Sequence, residues 1–355
     1  MKTMSDTSEE MPDNATDRPL VTFALFAYNQ EDYIREAVEG AFAQTYEPLE
    51  IILSDDCSSD RTFEIMQEMA AAYEGPHEVI ARRNEVNYGT AQHVYAVSKV
   101  MNGDLIVVAA GDDISLPRRT ELLTSAWVSK EKKPSAIYSG AIAFECDDVG
   151  SYTNVPLRHN WSNKVDLKWF AKNMTNPIVA PTAAYGRGVF EKFPPLFGGS
   201  VIEDGPLCVR SFILGEILPV DEQLVKIRKL PQTAGTGYCI QDPQRWNNFL
   251  RSRIISQFNQ MSDIVLALDD SNLKAQILKN LNKNIRGLSA CVLEPSRNLS
   301  KTYKLQIFLR LLLNYPKTSK TILQQLSFAS TFCLLLKQRS IEDIKKKIGY
   351  SNAKL

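Results

Sequence analysis

Leu105-Ile-Val-Val-Ala-Ala-Gly-Asp112-Asp113-Ile-Ser-Leu-Pro117 is the segment that decides the fold. Six apolar residues lead to Gly111 and two acids, the pattern of a buried strand that delivers carboxylates to the edge of a sheet. Open α/β sheets bind ligands at the carboxyl ends of their strands, where paired acids can hold a divalent cation together with a phosphate-bearing substrate. A polar turn is the alternative, because Gly, Asp and Pro are common turn residues.

Two upstream segments repeat this arrangement. Residues 21–27 are apolar and end before Tyr28-Asn29-Gln30, and residues 49–56 end in the acids Asp55 and Asp56. Helical patterns of ten to fifteen residues separate the predicted strands. This alternation predicts an α/β fold with a mostly parallel sheet covered by helices on both faces.

Composition excludes several classes of protein. The chain of 355 residues carries 41 basic and 41 acidic residues, so it has no overall field to attract nucleic acid, and we expect no nucleic-acid partner. The 6 cysteines are scattered without close pairs, which favours reduced thiols and a cytoplasmic location. The 3 histidines have no metal-ligand spacing, which argues against zinc.

An ordered set of short motifs spans residues 19–237. The motifs occupy residues 25–30, 44–46, 50–62, 87–89, 102–104, 111–117 and 202–204. The set resembles the family-2 glycosyltransferases of the GT-A fold, which use nucleotide-diphosphate sugars, and among them the bacterial sugar transferases of cell-surface polysaccharides. The resemblance implies a GT-A sheet, to which the helical pattern after residue 244 adds a C-terminal helical extension.

The resemblance also implies the roles of the strand-end residues. Ala27, Asn29 and Asp56 match nucleotide contacts, Asp112 matches a contact to the ribose or the metal, and Asp113 matches a ligand of Mg²⁺ or Mn²⁺. A carboxylate accepts hydrogen bonds from a pyrimidine N–H, so UDP or dTDP is the favoured donor nucleotide. Neighbouring acids have simpler alternatives, since Asp55 can order a turn and Asp60 can cap a helix.

Three downstream residues match the acceptor and phosphate side of the family. Glu203 and Asp204 resemble its acceptor-side acid pair, and Asp204 would be the general base that removes a proton from the attacking hydroxyl and gives inversion. Acids in a first helical turn are also favoured by the helix dipole without any chemistry. Arg228 and Glu203 are candidate contacts to the diphosphate or the acceptor, although Arg228 could equally be a solvent-facing strand residue.

Two positions depart from the family pattern. Ala110 replaces the first acid of the metal motif, and Leu230 stands where a histidine is often found. Both departures remove ligands from the metal, so a non-catalytic relative that binds sugar nucleotide or acts as a scaffold stays an alternative. A sugar nucleotidyltransferase is a weaker one, because the segment after the first strand lacks a Gly-rich basic loop.

The chain divides by pattern into three regions. Residues 1–17 are predicted to be a disordered tail, residues 18–240 the catalytic domain, and residues 241–355 a helical region. Residues 301–355 are strongly basic, and their longest uncharged run, 321–336, is shorter than the roughly 20 residues of a spanning helix. This end could bind an anionic membrane surface on the inner face of the plasma membrane, or pack on the catalytic domain with its lysines in solvent.

These observations lead to one expected function. We expect a metal-dependent, inverting glycosyltransferase that moves a hexosyl or deoxyhexosyl group from a nucleotide-diphosphate sugar. The acceptor would be a hydroxyl of a glycan or a lipid-linked acceptor in cell-surface polysaccharide biosynthesis.

Overall fold

The computed structural model describes residues 18–130, 134–146, 152–157, 165–174, 176–196, 203–228 and 243–291. The predicted tail at 1–17, the basic segment at 301–355 and Leu230 lie outside these ranges and stay predictions. Within these ranges, none of the helices combines the length and the apolar character that crossing a membrane requires.

Strands and helices alternate along the first half of the chain, as predicted. The strands are β1 Val21–Ala27, β2 Leu49–Asp55, β3 Glu78–Arg83, β4 Leu105–Ala110, β5 Ile114–Ser115, β6 Ala136–Cys146, β7 Tyr152–Leu157, β8 Ala183–Gly186 and β9 Ile217–Arg228. The helices are α1 Ile34–Phe42, α2 Thr62–Ala71, α3 Thr90–Ser98, α4 Arg119–Val128, α5 Leu167–Asn173, α6 Gly188–Glu191, α7 Asp204–Leu214, α8 Pro243–Ala267 and α9 Ser271–Cys291.

The described strands form one mixed sheet in the order β3-β2-β1-β4-β8-β6-β9-β5, with β7 paired to β6. Its first four strands are parallel neighbours, and antiparallel β8 joins them to the second half. In the register, Ala27 lies beside Asp55 and Phe26 beside Ala110. The loops that follow β1, β2 and β4 therefore leave the same edge of the sheet, which confirms the predicted α/β arrangement.

The core lies between the parallel strands and the helices that cover them. Every residue of β1 and β2 is buried, as expected for strands enclosed on both faces. Helix α1 turns Ile34, Ala37, Val38 and Ala41 inward, at the spacing of an amphipathic helix. These apolar contacts hold the start of α1 next to the strand ends that carry the candidate site.

Strand β9 carries a polar pair, Asp221 and Glu222, in its middle. The structure has one continuous strand, and a register shift against β6 falls between the pairs Ser139–Val220 and Gly140–Gln223. The exposed Asp221 and Glu222 lie within this bulge, which absorbs the polar pair without ending the strand.

The helical extension predicted after the sheet is confirmed in α8 and α9. Both helices belong to the same compact unit as the sheet, Met1–Arg297. Helix α8 lies against α7, and Gly205 allows the close approach, since a Cβ there would meet Gln260 Nε2 at 2.6 Å and Ser256 Oγ at 3.2 Å. The predicted domain boundary at residue 240 stays a prediction.

Candidate functional site

The loops after β1 and β2 are tied to each other by Asn29. Its backbone has a φ of 52°, in the left-handed region that asparagine tolerates. Asn29 N donates to Ser58 Oγ at 2.8 Å, and Asn29 Oδ1 accepts from Ser59 N at 2.8 Å. Ala27 is buried, and its carbonyl oxygen accepts a hydrogen bond from Asp56 N at 2.9 Å. The predicted nucleotide residues of β1 thus lie directly beside those of β2.

Asp56 is buried and its carboxylate accepts three hydrogen bonds from the protein. Asn84 Nδ2 donates to Oδ1 at 2.7 Å, and Tyr88 N donates to the same oxygen at 2.9 Å. Gly89 N donates to Oδ2 at 2.8 Å. Because an ionised carboxylate can accept about four hydrogen bonds, Oδ2 keeps one acceptor position. These bonds orient Asp56, and among the described residues they leave its carboxylate one acceptor position for a ligand.

A partly buried chain of polar side chains supports Asp56 from behind, and the sequence reasoning did not find it. Arg82 donates to Asn84 Oδ1 at 2.6 Å and also to Ser54 Oγ, which lies 2.6 Å from His93 Nε2. Burial lowers the pKa of His93 to about 4; nearby Arg82 lowers it further, whereas Asp56 opposes the fall. The only signal in the sequence is that Arg82 and Asn84 alternate at the end of β3.

The acids next to Asp56 have the simpler roles considered above. Asp55 Oδ2 accepts from Ser58 N at 2.9 Å and pairs with Arg83 Nε at 3.3 Å. Asp60 Oδ1 accepts from Thr62 N at 3.0 Å, at the start of α2, and its Oδ2 accepts from Glu31 N at 3.1 Å. Both side chains order the loops around the nucleotide residues.

The acid loop after β4 is packed tightly against β1. A Cβ on Gly111 would meet Gln30 Oε1 at 2.5 Å and Ala27 Cβ at 2.8 Å, so the loop can approach only through glycine. Asp113 is buried, and its Oδ1 accepts from Arg228 N at 2.9 Å. Burial raises the pKa of the Asp112 carboxyl and that of the Asp113 carboxyl. The charge of Asp112 raises the pKa of Asp113 further.

The acid loop fits a divalent cation whose ligands come partly from the protein and partly from a substrate. Mg²⁺ is commonly bound through one or two carboxylates plus substrate phosphates. Asp112 and Asp113 can supply those carboxylates, and a nearby cation would favour their ionised forms. Across the described ranges there is no group of three or more His, Cys, Asp or Glu side chains that could hold a metal, so the remaining ligands would come from the diphosphate and water.

Arg119 braces the acid loop from within the core, a role that sequence reasoning missed. Its side chain is fully buried. Nη1 donates to Ser115 Oγ at 2.8 Å, and Nη2 donates to the carbonyl oxygens of Val108 at 2.7 Å and Ala183 at 3.3 Å. Burial lowers the pKa of Arg119 to about 9, and the nearby Asp113 opposes the fall. A buried positive charge therefore lies beneath the carboxylates.

Arg228 comes to the acid loop from the end of β9. Its Nε donates to the carbonyl oxygen of Asp112 at 3.1 Å, and its Nη2 donates to Glu36 Oε2 at 2.9 Å. The structure thus brings Arg228 together with Asp112 and Asp113, across more than a hundred residues of sequence.

The predicted acceptor-side acids lie at the start of α7. Burial raises the pKa of Glu203 to about 8, and the adjacent Asp204 adds to the rise. Burial also raises the pKa of Asp204, whereas Gly205 N, which donates to Asp204 Oδ1 at 2.7 Å, and the charge of Arg253 oppose it. Burial raises the pKa of Tyr185 of β8, and Cys208, Asp204 and Glu203 add to the rise. The acid pair is therefore packed beside the sheet and retains protons more readily than exposed acids do.

A family model matches this part of the chain. The description of the model is "Glycosyl transferase family 2", and the match covers residues 22–193. These residues include the loops after β1, β2 and β4, together with all the predicted nucleotide and metal residues.

Two curated relatives show how far the similarity extends. The "Putative glycosyltransferase EpsE" of Bacillus subtilis is 32% identical over 127 residues, which are 36% of this chain and 45% of EpsE. The chain thus spans less than half the length of that relative. An "Uncharacterized glycosyltransferase" of Haemophilus influenzae is 24% identical over 294 residues, 80% of this chain and 87% of the relative.

Among solved structures, the fold is similar to Staphylococcus aureus TarS residues 1–349 in complex with UDP-GlcNAc. The TM-score is 0.55 at 17% sequence identity, and the alignment covers 84% of this chain and 87% of that structure. The complex of the same protein with UDP has the same TM-score at 16% identity, covering 81% and 80%. At this level of identity the likeness establishes the fold, which is GT-A.

Proposed function

Because this chain carries a family-2 glycosyltransferase domain on a GT-A fold, we propose that it transfers a sugar from a nucleotide-diphosphate donor to a hydroxyl acceptor, with inversion. The observation that supports this most strongly is the convergence of Asp56, Asp113 and Arg228 at one edge of the sheet. Open α/β sheets bind nucleotides at this edge. The position fits a base and ribose at β1 and β2 and a diphosphate at β4.

The hydrogen bonds to Asp56 support UDP or dTDP as the donor nucleotide. Among the described residues, Oδ1 accepts two protein donors and Oδ2 accepts one, which leaves one acceptor position. Uracil and thymine present a single ring N–H, which one position can satisfy. Guanine presents two adjacent donors and would leave one of them unpaired, which costs binding free energy. The UDP and UDP-GlcNAc complexes of the similar TarS structure agree with this proposal.

Asp113 and Asp112 would hold the proposed Mg²⁺ or Mn²⁺. When bound, the cation stabilises the negative charge that develops on the leaving nucleotide diphosphate. Arg119 stays beneath the loop as a fixed positive charge, and Gly111 keeps the loop against β1. These residues preorganise the leaving-group side of the reaction before the donor binds.

Asp204 is the proposed general base. Its burial raises its pKa, so the carboxylate is a stronger base than an exposed aspartate and can take the proton of a sugar hydroxyl as that hydroxyl attacks. A base on the face opposite the leaving group produces inversion. Glu203, with a pKa of about 8, would be protonated at neutral pH and would not add a second negative charge beside the base.

The proposed acceptor rests on the family resemblance, and the proposed location rests on the scattered cysteines and the basic residues 301–355. We propose a glycan or lipid-linked acceptor in cell-surface polysaccharide biosynthesis, and a cytoplasmic protein that binds the inner face of the membrane through residues 301–355. Flotation of the full chain with anionic and with neutral liposomes tests the membrane part. Binding to anionic liposomes alone is expected, and no binding to either would remove it.

Calorimetric titration with UDP, dTDP and GDP, each with Mn²⁺ and with EDTA, tests the donor. We expect Mn²⁺-dependent binding of UDP or dTDP and at least tenfold weaker binding of GDP. Nucleotide binding without sugar transfer to any cell-envelope acceptor would favour the non-catalytic relative. A folded protein that binds none of the three nucleotides would contradict the proposed donor.

A further inference from the structure

The side chain of Arg228 is held by several groups of the protein. Its Nε donates to the carbonyl oxygen of Asp112, and its Nη2 lies 2.9 Å from Glu36 Oε2 on α1. The guanidinium carbon lies 4.9 Å from the centre of the Tyr33 ring and 4.6 Å from that of the Phe144 ring. Two aromatic contacts, an ion pair and a hydrogen bond together hold the group in place.

The same residue also holds the second acid of the loop. The backbone N–H of Arg228 donates to Asp113 Oδ1 at 2.9 Å, while its side chain holds the carbonyl of Asp112. One residue thus fixes both the main chain and one carboxylate of the acid loop. Close to it, β5, which follows the acid loop, pairs with β9, with Ile114 opposite Lys226.

This geometry disagrees with a free arginine that binds the diphosphate. Only 7% of Arg228 is exposed. To reach a phosphate, the guanidinium would have to leave Glu36 and both rings. An arginine that leaves such partly buried partners loses the free energy with which they stabilise it. The exposed, partly solvated member of the pair is Glu36, whose side chain is 43% exposed.

We infer that Arg228 is a positioning residue for the Asp112–Asp113 loop, and that Glu36 holds it there. Arg228 sets the orientation in which the two carboxylates meet a cation, and it does not contact the diphosphate. This inference rests on the proposed function. Residues that orient metal ligands typically change metal affinity by about 10–100-fold when they are removed.

The test compares Arg228→Met and Glu36→Gln with wild type and with Arg61→Met. Arg61 is the matched control, since it forms an ion pair with Glu64 but its side chain is 62% exposed. Mn²⁺ affinity is measured by electron paramagnetic resonance in the presence of UDP or dTDP, and nucleotide affinity is measured separately in EDTA. We expect Arg228→Met to weaken Mn²⁺ binding by about 10–100-fold. Nucleotide affinity in EDTA should stay within about twofold, as expected where no contact to the nucleotide is lost.

The companion variants sharpen the outcome. Glu36→Gln should weaken Mn²⁺ binding in the same direction but less, and Arg61→Met should leave both affinities unchanged. Should Arg228→Met fail to fold, Arg228→Lys decides the question, because it keeps the charge and the apolar stem but loses the Nε donor. Weaker Mn²⁺ binding with unchanged nucleotide affinity in EDTA is then the expected result.

Two results would overturn the inference. Unchanged Mn²⁺ affinity in Arg228→Met would show that the acid loop keeps its orientation without the arginine. An equal loss of nucleotide affinity in Mn²⁺ and in EDTA, with a gain in Glu36→Gln, would show that Arg228 binds the diphosphate. Failure of the proposed function is visible separately, because wild type would then bind neither nucleotide.

Discussion

Asp56 and Asp113 are buried to a similar degree just after β2 and β4, the two strands that flank β1, yet the protein treats them differently. Asp56 is 3% exposed and Asp113 is 7% exposed. Asp56 accepts hydrogen bonds from Asn84, Tyr88 and Gly89. At Asp113, burial and the charge of Asp112 raise the pKa and outweigh the bond from Arg228 N and the charges of Arg119 and Arg228. Burial alone therefore does not assign a role to an acid. The role depends on the balance between the burial of the acid and the hydrogen-bond donors around it.

The difference separates recognition from chemistry. A carboxylate surrounded by donors is held in one orientation, which suits the recognition of a ligand N–H. A carboxylate buried with fewer compensating groups gains more from a cation or a proton. The pKa is raised at Asp112 and Asp113, where the proposal places the cation. It is also raised at Glu203 and Asp204, where the proposal places the proton transfer.

Loss of the proposed base should have the largest effect. Asp204→Asn keeps the size of the side chain but cannot accept the proton of the acceptor hydroxyl, so we expect sugar transfer to fall by at least about 100-fold. Nucleotide affinity should stay within about twofold, because Asp204 is not among the proposed nucleotide contacts. Initial rates and calorimetry on the same preparation check both values. Turnover near that of wild type would refute the assignment of Asp204.

On the side of Asp56, the buried His93 predicts a dependence of stability on pH. Its folded pKa of about 4 lies below the ordinary value of 6.5, so the unfolded chain binds a proton more readily over this range. The free energy of unfolding should therefore fall as the pH drops from 6.5 to 4, by roughly 3 kcal/mol from this residue. It should be independent of His93 above pH 6.5.

Urea unfolding of wild type and His93→Gln across this range measures the effect. Glutamine can keep a hydrogen bond to Ser54 but does not titrate. The stability difference between the two proteins should therefore change with pH in favour of the variant as the pH falls. Parallel pH curves would mean that His93 is not held neutral.

In the acid pair at the start of α7, Glu203 predicts an effect of opposite sign, a loss of stability as the pH rises. Its folded pKa of about 8 lies above the ordinary value of 4.5, so the unfolded chain releases its proton first as the pH rises. This residue should therefore make the protein less stable between pH 4.5 and 8. Glu203→Gln mimics the protonated acid and should be increasingly stable relative to wild type over that range. A thermal unfolding series would contradict the raised pKa if the two proteins stayed parallel.

Sequence patterns were enough to predict the parallel strands and the edge of the sheet where their loops meet. Apolar runs that end in polar residues mark β1, β2 and β4, and parallel pairing places their ends together. The pairing of Arg228 with Glu36 could not be predicted in this way, because it joins residues 192 positions apart through the register of β9. The burial of Arg119 was equally hidden, since an arginine after a proline reads as an exposed helix start.

The same limit applies to the bulge in β9 and to the support of Asp56. Asp221 and Glu222 have the local chemistry of a turn, and only pairing with β6 makes them part of a strand. Asn84 is an ordinary polar residue at a strand end until the fold places it 2.7 Å from Asp56. Local patterns predict elements, whereas the number of donors around an acid depends on tertiary contacts.

Titration of Asp56→Asn and Asp113→Asn with UDP and dTDP, each in Mn²⁺ and in EDTA, tests the contrast between the two acids most directly. We predict that Asp56→Asn weakens binding by about tenfold or more in both conditions, since a charged hydrogen bond is worth roughly 1.5–3 kcal/mol. Asp113→Asn should leave binding in EDTA unchanged and remove the gain that Mn²⁺ gives to wild type. If instead Asp113→Asn weakened binding equally in both conditions, or Asp56→Asn changed only the Mn²⁺-dependent part, the division between recognition and cation binding would be wrong.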